Sequence, residues 1–211
     1  GRYTTQDSDA KVDQPAWLGF LSLLKKYRKR RPINGTFVAI SLADLMTQSE
    51  SERRAHALAI KQRIHELDKH FGIRFPVYVL FTKCDLVAGF SEFFDDLGKT
   101  ERQQVWGFTF PYADSGPAPV GKFDAELDTL GRRLNERLLA RVSQEPDITR
   151  RALIHGFPKQ MAQLKDNLSA FLREVFQDSR YAASPLLRGA YFTSGTQEGT
   201  PIDRIMGAMA A

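Results

Sequence analysis

Two short apolar runs separated by one amphipathic stretch constrain the fold of this chain most strongly. The runs are GTFVAISL at 35–42 and FPVYVLFT at 75–82, and both are rich in β-branched and aromatic residues. Between them, apolar residues recur every three or four positions over 50–71, and the pattern ends at Gly72. Strand, helix and strand in this order form a βαβ unit with a right-handed crossover. We therefore expect an α/β fold with a parallel sheet whose strands are buried on both faces.

A largely helical block follows this unit and separates it from a third strand. Apolar periodicity predicts further helices at 14–30, near 91–98, at 121–144 and from Pro158 to about 177. The apolar face of the first of these helices consists of Trp17, Phe20, Leu21, Leu24 and Tyr27. The Gly- and Pro-rich segment VWGFTFPYADSGPAPVG (105–121) is predicted to be a loop. GAYFTSG at 189–195 is predicted to be the third strand, and Pro201 is predicted to begin a closing helix.

This order of elements predicts one α/β domain that is interrupted by an insertion. We assign residues 1–90 and 189–211 to the α/β domain, and residues 91–188 to a mainly helical insertion subdomain. A connection of this length is too long for a loop, so its amphipathic helices must bury their apolar faces on one another or on the edge of the sheet.

Composition excludes several classes of protein. The chain has 211 residues and is 42% hydrophobic, which is enough for one large domain with a real core. Its single cysteine, Cys84, cannot form an internal disulfide, and this favours a reducing compartment. No apolar run approaches the roughly 18 residues of a membrane span. We expect this piece of chain to be soluble, and any membrane attachment to come from segments outside it.

The second apolar run ends in the motif T-K-x-D, formed by Thr82, Lys83 and Asp85. In the G-domains of P-loop GTPases, such a carboxylate accepts two hydrogen bonds from guanine, and the lysine stem lies along the base. Doubly wound folds bind ligands at this end of their strands. Ser194 and Gly195, after the third strand, are placed to turn a backbone N–H toward the base oxygen. The alternatives are a solvated Lys–Asp pair at a strand end and a simple turn.

Two other functions have weaker support. The stretch KKYRKRR at 25–31 and the net charge of +5 suggest nucleic-acid binding, but 30 basic residues against 25 acidic ones is near balance. Cations are also favoured at the end of a helix, so we expect no nucleic-acid partner. The histidines at 56, 65, 70 and 155 lack the spacing of metal ligands, so we expect no metal site. Glu66 and His70 are better interpreted as an i,i+4 helix contact.

Several longer segments carry a resemblance to a known family. They are GRYTTQDS (1–8), NGTFVAISLADL (34–45), FPVYVLFTKCDLVAGFSEFF (75–94), RQQVWGFTFP (102–111), FPKQ (157–160) and LLRGAYFTSGTQEGTPIDR (186–204). The sequence resembles the cytosolic domain of the IcmF/TssM proteins, which are large inner-membrane components of bacterial type VI secretion systems. The segments span nearly the whole chain in the expected order.

The resemblance implies a partial P-loop G-domain-like fold with three strands in this chain. Gly1 would close the D-x-x-G motif, and the phosphate-binding P-loop would lie upstream. GTP or ATP with Mg²⁺ is then the implied cofactor of the intact parent, whereas none is expected for this chain alone. No G-x-x-x-x-G-K-[S/T] occurs in the sequence, so the chain by itself is not expected to be an enzyme.

The resemblance also implies a place and a set of partners. The chain would lie on the cytoplasmic side of the bacterial inner membrane and meet other inner-membrane and baseplate components of the secretion system. A scaffold that carries the base-binding half of a nucleotide site is the leading functional hypothesis. The alternative is a GTP or ATP hydrolase formed together with the upstream P-loop.

The predicted insertion contains arginines and aromatic residues that suggest a docking surface. The arginines are Arg132, Arg133, Arg137 and Arg141, and the aromatic residues are Trp106, Phe108, Phe110 and Tyr112. Exposed aromatic residues beside arginines are typical of interface hot spots. The alternative is that the arginines form a solvated helix face and the aromatic residues belong to the core of the subdomain.

Overall fold

The computed structural model of the chain describes residues 10–111, 119–177 and 185–195. The helices are α1 (Ala10–Tyr27), α2 (Leu42–Thr47), α3 (Glu50–Phe71), α4 (Phe90–Phe93), α5 (Pro119–Gln144) and α6 (Ile148–Phe176), and the strands are β1 (Thr36–Ser41), β2 (Pro76–Thr82), β3 (Trp106–Thr109) and β4 (Leu186–Phe192). None of the helices in these ranges is long and apolar enough to cross a membrane. The closing helix predicted from Pro201 lies outside the described residues.

The sheet has the strand order β1-β2-β4-β3. β1 pairs with β2 in parallel, and β2 pairs with β4 in parallel. The predicted βαβ unit and the α/β fold class are therefore confirmed, with α3 as the crossover helix. The third strand begins earlier than predicted, at Leu186, because the charged Arg188 interrupts the apolar run but occupies a half-buried position of the strand.

The sheet contains a fourth strand, so the prediction of three strands is wrong. Trp106–Thr109, inside the segment predicted to be a loop, form β3 and pair antiparallel with β4. The glycines and prolines around this strand are strong loop signals, and four residues are too few to show a clear alternation. The segment predicted to be an insertion thus contributes an edge strand to the sheet. The division of the chain into an α/β domain and an insertion subdomain stays a prediction.

Helix α3 follows its sequence signals closely. Ser49 and Glu52 form a capping box, in which the Ser49 side chain accepts from the Glu52 N–H and the Ser49 N–H donates to the Glu52 carboxylate at 2.8 Å. At the other end, Gly72 adopts φ 65° and its N–H donates to the Asp68 carbonyl. The predicted helix over 50–71 and its stop at Gly72 are confirmed.

The other helices differ from their predicted bounds. Helix α6 begins at Ile148, ten residues before Pro158, because the Asp147 side chain caps it by accepting from the Arg150 N–H at 2.8 Å. Pro158 lies inside the helix and is buried. Helix α1 ends at Tyr27 rather than near residue 30, and α4 is a single turn where a helix near 91–98 was predicted.

One face of the sheet, not both, carries the core. Burial alternates along β1 and β2, as it does in strands with only one covered face. The covered face contributes Val38, Ile40, Val77, Val79, Phe81, Leu187, Ala190 and Phe192 to a core shared with α3, α5 and α6. On the opposite face Phe37 is 69% exposed. The prediction of strands buried on both faces is therefore wrong for the described residues.

Candidate functional site

The predicted base-binding residues lie where β2 and β4 end side by side. Phe81 is the register partner of Phe192, so the two segments that follow leave the sheet at the same edge. The Thr193 N–H donates to the Phe81 carbonyl at 2.8 Å, and this bond extends the pairing beyond the strand. The carboxyl edge of a parallel sheet is the usual place for a ligand in such folds.

Lys83 turns the chain at this edge. It is the one non-glycine with positive φ among the described residues, at φ 60° and ψ 37°. Residues Cys84–Leu86 then form a 3₁₀ turn, in which the Leu86 N–H donates to the Lys83 carbonyl at 3.1 Å. A left-handed lysine costs about 1–2 kcal/mol, and such conformations occur often at functional sites. The turn places Lys83 and Asp85 outside the sheet.

Cys84 anchors this turn to β4, a role that the sequence analysis did not assign. Its N–H donates to the Thr193 carbonyl at 3.2 Å, and its thiol donates to the Phe81 carbonyl at 3.4 Å. The side chain is fully buried, and burial raises the pKa of the thiol to about 12. A thiol of this kind is unreactive and acts as a small apolar residue. The sequence signal that could have indicated this role is the position of Cys84 between Lys83 and Asp85 in the motif.

Asp85 and Ser194, 109 positions apart, meet directly. The Ser194 hydroxyl donates to Asp85 Oδ1 at 2.7 Å. An ionised carboxylate has about four acceptor positions, so this bond leaves capacity for two further donors. Two donors on one edge are what guanine presents through its N1–H and exocyclic amine. The donor–acceptor chemistry of these two residues therefore fits a guanine base.

Thr82 ties the site to the first strand, and the remaining predicted residues lie nearby or outside the described ranges. The Thr82 hydroxyl lies 3.4 Å from the Ile40 carbonyl at the end of β1, a long hydrogen bond. In the base motif predicted from the sequence, Thr82 takes the position of the asparagine that braces neighbouring loops in most G-domains. Gly195 follows Ser194 and is exposed, and Gly1 lies outside the described residues.

The four histidines lie on helices α3 and α6. No group of three or more His, Cys, Asp or Glu side chains suited to a metal is found within residues 10–111, 119–177 and 185–195. His56 packs edge-on against Phe171, with 5.5 Å between the ring centroids. Glu66, predicted to contact His70, accepts instead from Arg63 at 2.7 Å and from Gln62 at 3.1 Å.

The predicted docking surface divides into buried and exposed parts. Trp106 packs against Phe90, Phe94 and Phe192, with ring centroids 4.9 to 5.9 Å apart. Phe108 contacts Phe110 and Phe123 in the same way. These aromatic residues therefore belong to the core, which was the alternative interpretation. Tyr112 lies outside the described residues.

The four arginines of α5 have different roles. Arg141 is only 6% exposed and donates from Nε to the Phe93 carbonyl at 2.9 Å and from Nη2 to the Glu92 carbonyl at 2.8 Å. Arg137 pairs with Asp96 at 3.0 Å. Arg132 and Arg133 are exposed. Two of the four thus hold the end of α4, and no continuous arginine surface forms.

Two comparisons with known proteins agree with each other. A family model described as the IcmF-related N-terminal domain matches residues 10–211. The type VI secretion system component TssM1 of Pseudomonas aeruginosa is 58% identical over 212 residues, an alignment that covers 100% of this chain and 19% of TssM1. The chain therefore spans less than a fifth of the length of this relative. No solved structure matches the chain.

Proposed function

The chain belongs to the IcmF-related N-terminal domain family of type VI secretion components, and we propose that it is an assembly module that carries the base-binding half of a nucleotide site. Its proposed partners are other inner-membrane and baseplate components of the secretion system. Its proposed location is the cytoplasmic side of the inner membrane. The family resemblance noted in the sequence is confirmed by both comparisons.

One observation carries the proposal of half a nucleotide site. Lys83, Asp85 and Ser194 converge at one edge of the sheet, but the printed sequence contains no P-loop motif. A site of this kind is completed only when another segment supplies the phosphate-binding residues. The complete nucleotide site would therefore exist only where this chain is joined to the segment that carries those residues.

Each residue at this edge has a defined part in the proposal. Asp85 accepts the two donors of the base, and Ser194 holds the carboxylate in one orientation through the 2.7 Å bond. The aliphatic stem of Lys83 lies along the base face while its ammonium group stays in water. Bound GTP or ATP with Mg²⁺ would supply the phosphoryl chemistry, and no residue of this chain is assigned to that step.

The first test uses this chain as it is. We expect calorimetry to show that it binds GTP and ATP with Mg²⁺ no better than it binds guanosine, because the phosphates find no cradle. Micromolar, Mg²⁺-dependent binding of GTP would contradict the proposal that the site is half complete.

The second test uses the full-length protein. Asp85→Asn should reduce the preference for GTP over ATP by about 1–3 kcal/mol, the scale of charge-assisted hydrogen bonds. Asp128→Asn, on the remote helix α5, is the matched control. Since Thr82 replaces the usual asparagine, the starting preference is expected to be modest. An unchanged preference in the Asp85 variant would show that T-K-x-D is not a base pocket.

A further inference from the structure

Helix α1 carries an exposed apolar stripe that its packing on the core leaves uncovered. Leu21 is fully buried, and it marks the face that contacts the rest of the molecule. Ala16, Phe20, Leu23 and Tyr27 follow one another at spacings of four, three and four residues, so they form one stripe along the helix. Phe20 is 50% exposed, Leu23 54% and Tyr27 75%. The residues predicted to share one apolar face therefore lie on two: Leu21 is on the buried face, whereas Phe20 and Tyr27 are on a face exposed to solvent.

A dense group of cations follows this stripe. Residues 25–31 contain six lysines and arginines among seven residues, and all seven are exposed. Lys25 donates to the His70 carbonyl at 2.8 Å, and the Lys26 ammonium lies 5.5 Å from the centre of the Tyr27 ring. Within the described residues, no carboxylate forms an ion pair with any cation of 25–31.

The helix dipole accounts for only part of this group. Helix α1 ends at Tyr27, and the cations of its last turn are Lys25 and Lys26. Residues 28–31 lie beyond the helix, where the dipole contributes little because its effect is confined to the last turn. Residues 28–31 are four consecutive cations without an ion pair to any described residue, and they repel one another. A partner with dense negative charge would relieve this repulsion.

We propose that α1 and residues 25–31 form a docking surface for an anionic membrane. In this arrangement the stripe of Phe20, Leu23 and Tyr27 enters the headgroup region, and the cations contact lipid phosphates. An apolar helical stripe joined to a basic cluster has the two elements that bind peripheral helices to anionic bilayers. A nucleic acid would use the cations, but it would leave the aliphatic part of the stripe in water. This proposal adds a membrane contact to a chain for which none was expected, and it is independent of the nucleotide site.

The experiment is co-sedimentation of the chain with lipid vesicles. We expect the chain to sediment with vesicles of equal parts phosphatidylglycerol and phosphatidylcholine, and not with vesicles of phosphatidylcholine alone. Arg30→Gln with Arg31→Gln should lower the partition coefficient about fivefold for each charge, which corresponds to about 1 kcal/mol. Arg132→Gln with Arg133→Gln removes the same charge from exposed positions of α5 and should leave the partition nearly unchanged.

A second pair of variants tests the apolar stripe. Leu23→Ser should lower the partition about tenfold, because the leucine side chain leaves water only in the bound state. Leu139→Ser, at a 78% exposed leucine of α5, is the matched control and should have no effect. All six positions changed in these four variants are exposed, so a urea unfolding curve for each variant is expected to match that of the wild type.

Three results would overturn the proposal. The first is equal sedimentation with anionic and neutral vesicles, and the second is equal loss of binding in the variants and their controls. The third is binding that depends on the charges but not on Leu23, and that a single-stranded oligonucleotide abolishes. That third outcome would assign the cations to a nucleic acid.

Discussion

The two faces of the sheet are built from the same strands but have different surroundings. On the covered face, Val79 and Phe81 of β2 have no exposed surface and share one core with the long helices. On the open face, Phe37 and Ala39 of β1 are exposed, and Tyr78 of β2 is half-buried. The sequence of β1 is apolar toward both sides, and only the helices distinguish them. The apolar composition of a strand therefore permits burial of either face, whereas the packing of the helices determines which face is buried.

The open face presents a row of aromatic rings across three strands. The rings of Phe37 and Tyr78 lie 5.7 Å apart, and those of Tyr78 and Tyr191 lie 6.3 Å apart in a stacked arrangement. The hydroxyls of Tyr191 and Thr109 are hydrogen-bonded at 2.6 Å. A Cβ atom added to Gly107 would lie 2.4 Å from the Ala190 carbonyl oxygen and 2.8 Å from Cδ1 of Tyr191, so glycine is needed here for β3 to approach the backbone of β4 and this ring. Contact sites between proteins are enriched in aromatic residues. This face agrees with the proposed role in assembly.

The largest expected effect comes from comparing the stability cost of a phenylalanine-to-alanine substitution on the covered face with that on the open face. Phe81→Ala should lower the free energy of unfolding by about 3–5 kcal/mol, because Phe81 is fully buried and stacks on Phe192 with 5.2 Å between centroids. Phe37→Ala, on the open face, should cost less than about 1 kcal/mol. Urea unfolding of the two variants gives both values.

The comparison would fail if the two variants lost similar stability in this chain. That result would mean that Phe37 is covered in solution. In the full-length protein, by contrast, a larger cost for Phe37→Ala than in this chain would show that another segment packs on the open face.

Elements whose determinants are local were predicted well. The start of α3 near residue 50 and its stop at Gly72 are both confirmed. The T-K-x-D motif and Ser194 were expected at one edge, and the structure joins Asp85 to Ser194 there. These predictions worked because helix ends and strand ends follow from short stretches of sequence, and strands that run in parallel end at the same edge of the sheet.

Features that depend on distant contacts were missed. Strand β3 exists because β4 offers it an edge, and its four residues carry almost no signal by themselves. Helix α6 continues through Pro158 because the side chains around it, such as Phe157, are buried in the core. A proline costs a helix about 3 kcal/mol in isolation, and tertiary packing of this kind can exceed that cost. The anchoring role of Cys84 likewise depends on the Thr193 carbonyl of another segment.

The second prediction applies the same comparison of buried and exposed positions to the arginines of α5. Arg141→Ala should lower the free energy of unfolding by about 2–3 kcal/mol, because the carbonyls of Glu92 and Phe93 would lose their charged donor. Arg133→Ala, on the exposed side of the same helix, should change it by less than about 0.5 kcal/mol. Chemical denaturation of both variants measures the difference. Equal costs would restore the hypothesis that these arginines act as one solvated surface.

The third prediction concerns the contact between α4 and α6 on the covered side. Gly89 adopts φ 83°, and a Cβ atom there would lie 2.3 Å from the Leu153 carbonyl oxygen. Gly89→Ala should therefore cost about 2 kcal/mol or more, since both the backbone conformation and the contact with a backbone oxygen oppose a side chain. Gly131→Ala is the control, because nothing lies within 4 Å of its added Cβ in α5. That control should gain about 0.5–1 kcal/mol of stability. Thermal unfolding that ranks the two variants in the opposite order would contradict the close approach of α4 to α6.

The smallest expected effect tests whether water reaches the buried side of helix α3. Burial lowers the pKa of His56 below its usual value of 6.5, and Nδ1 is buried without a hydrogen-bond partner among the described residues. Because the unfolded state then binds the proton more readily, this histidine contributes stability above pH 6.5 that is lost as the pH falls through the lowered pKa. We expect the urea midpoint to drop between pH 7.5 and pH 5.0, and His56→Gln should remove part of that drop. His65→Gln, at an exposed position of the same helix, controls for the loss of a histidine. A drop of the same size in the wild type and the His56 variant would mean that water reaches the ring, and that the contact between α3 and Phe171 of α6 is open in solution.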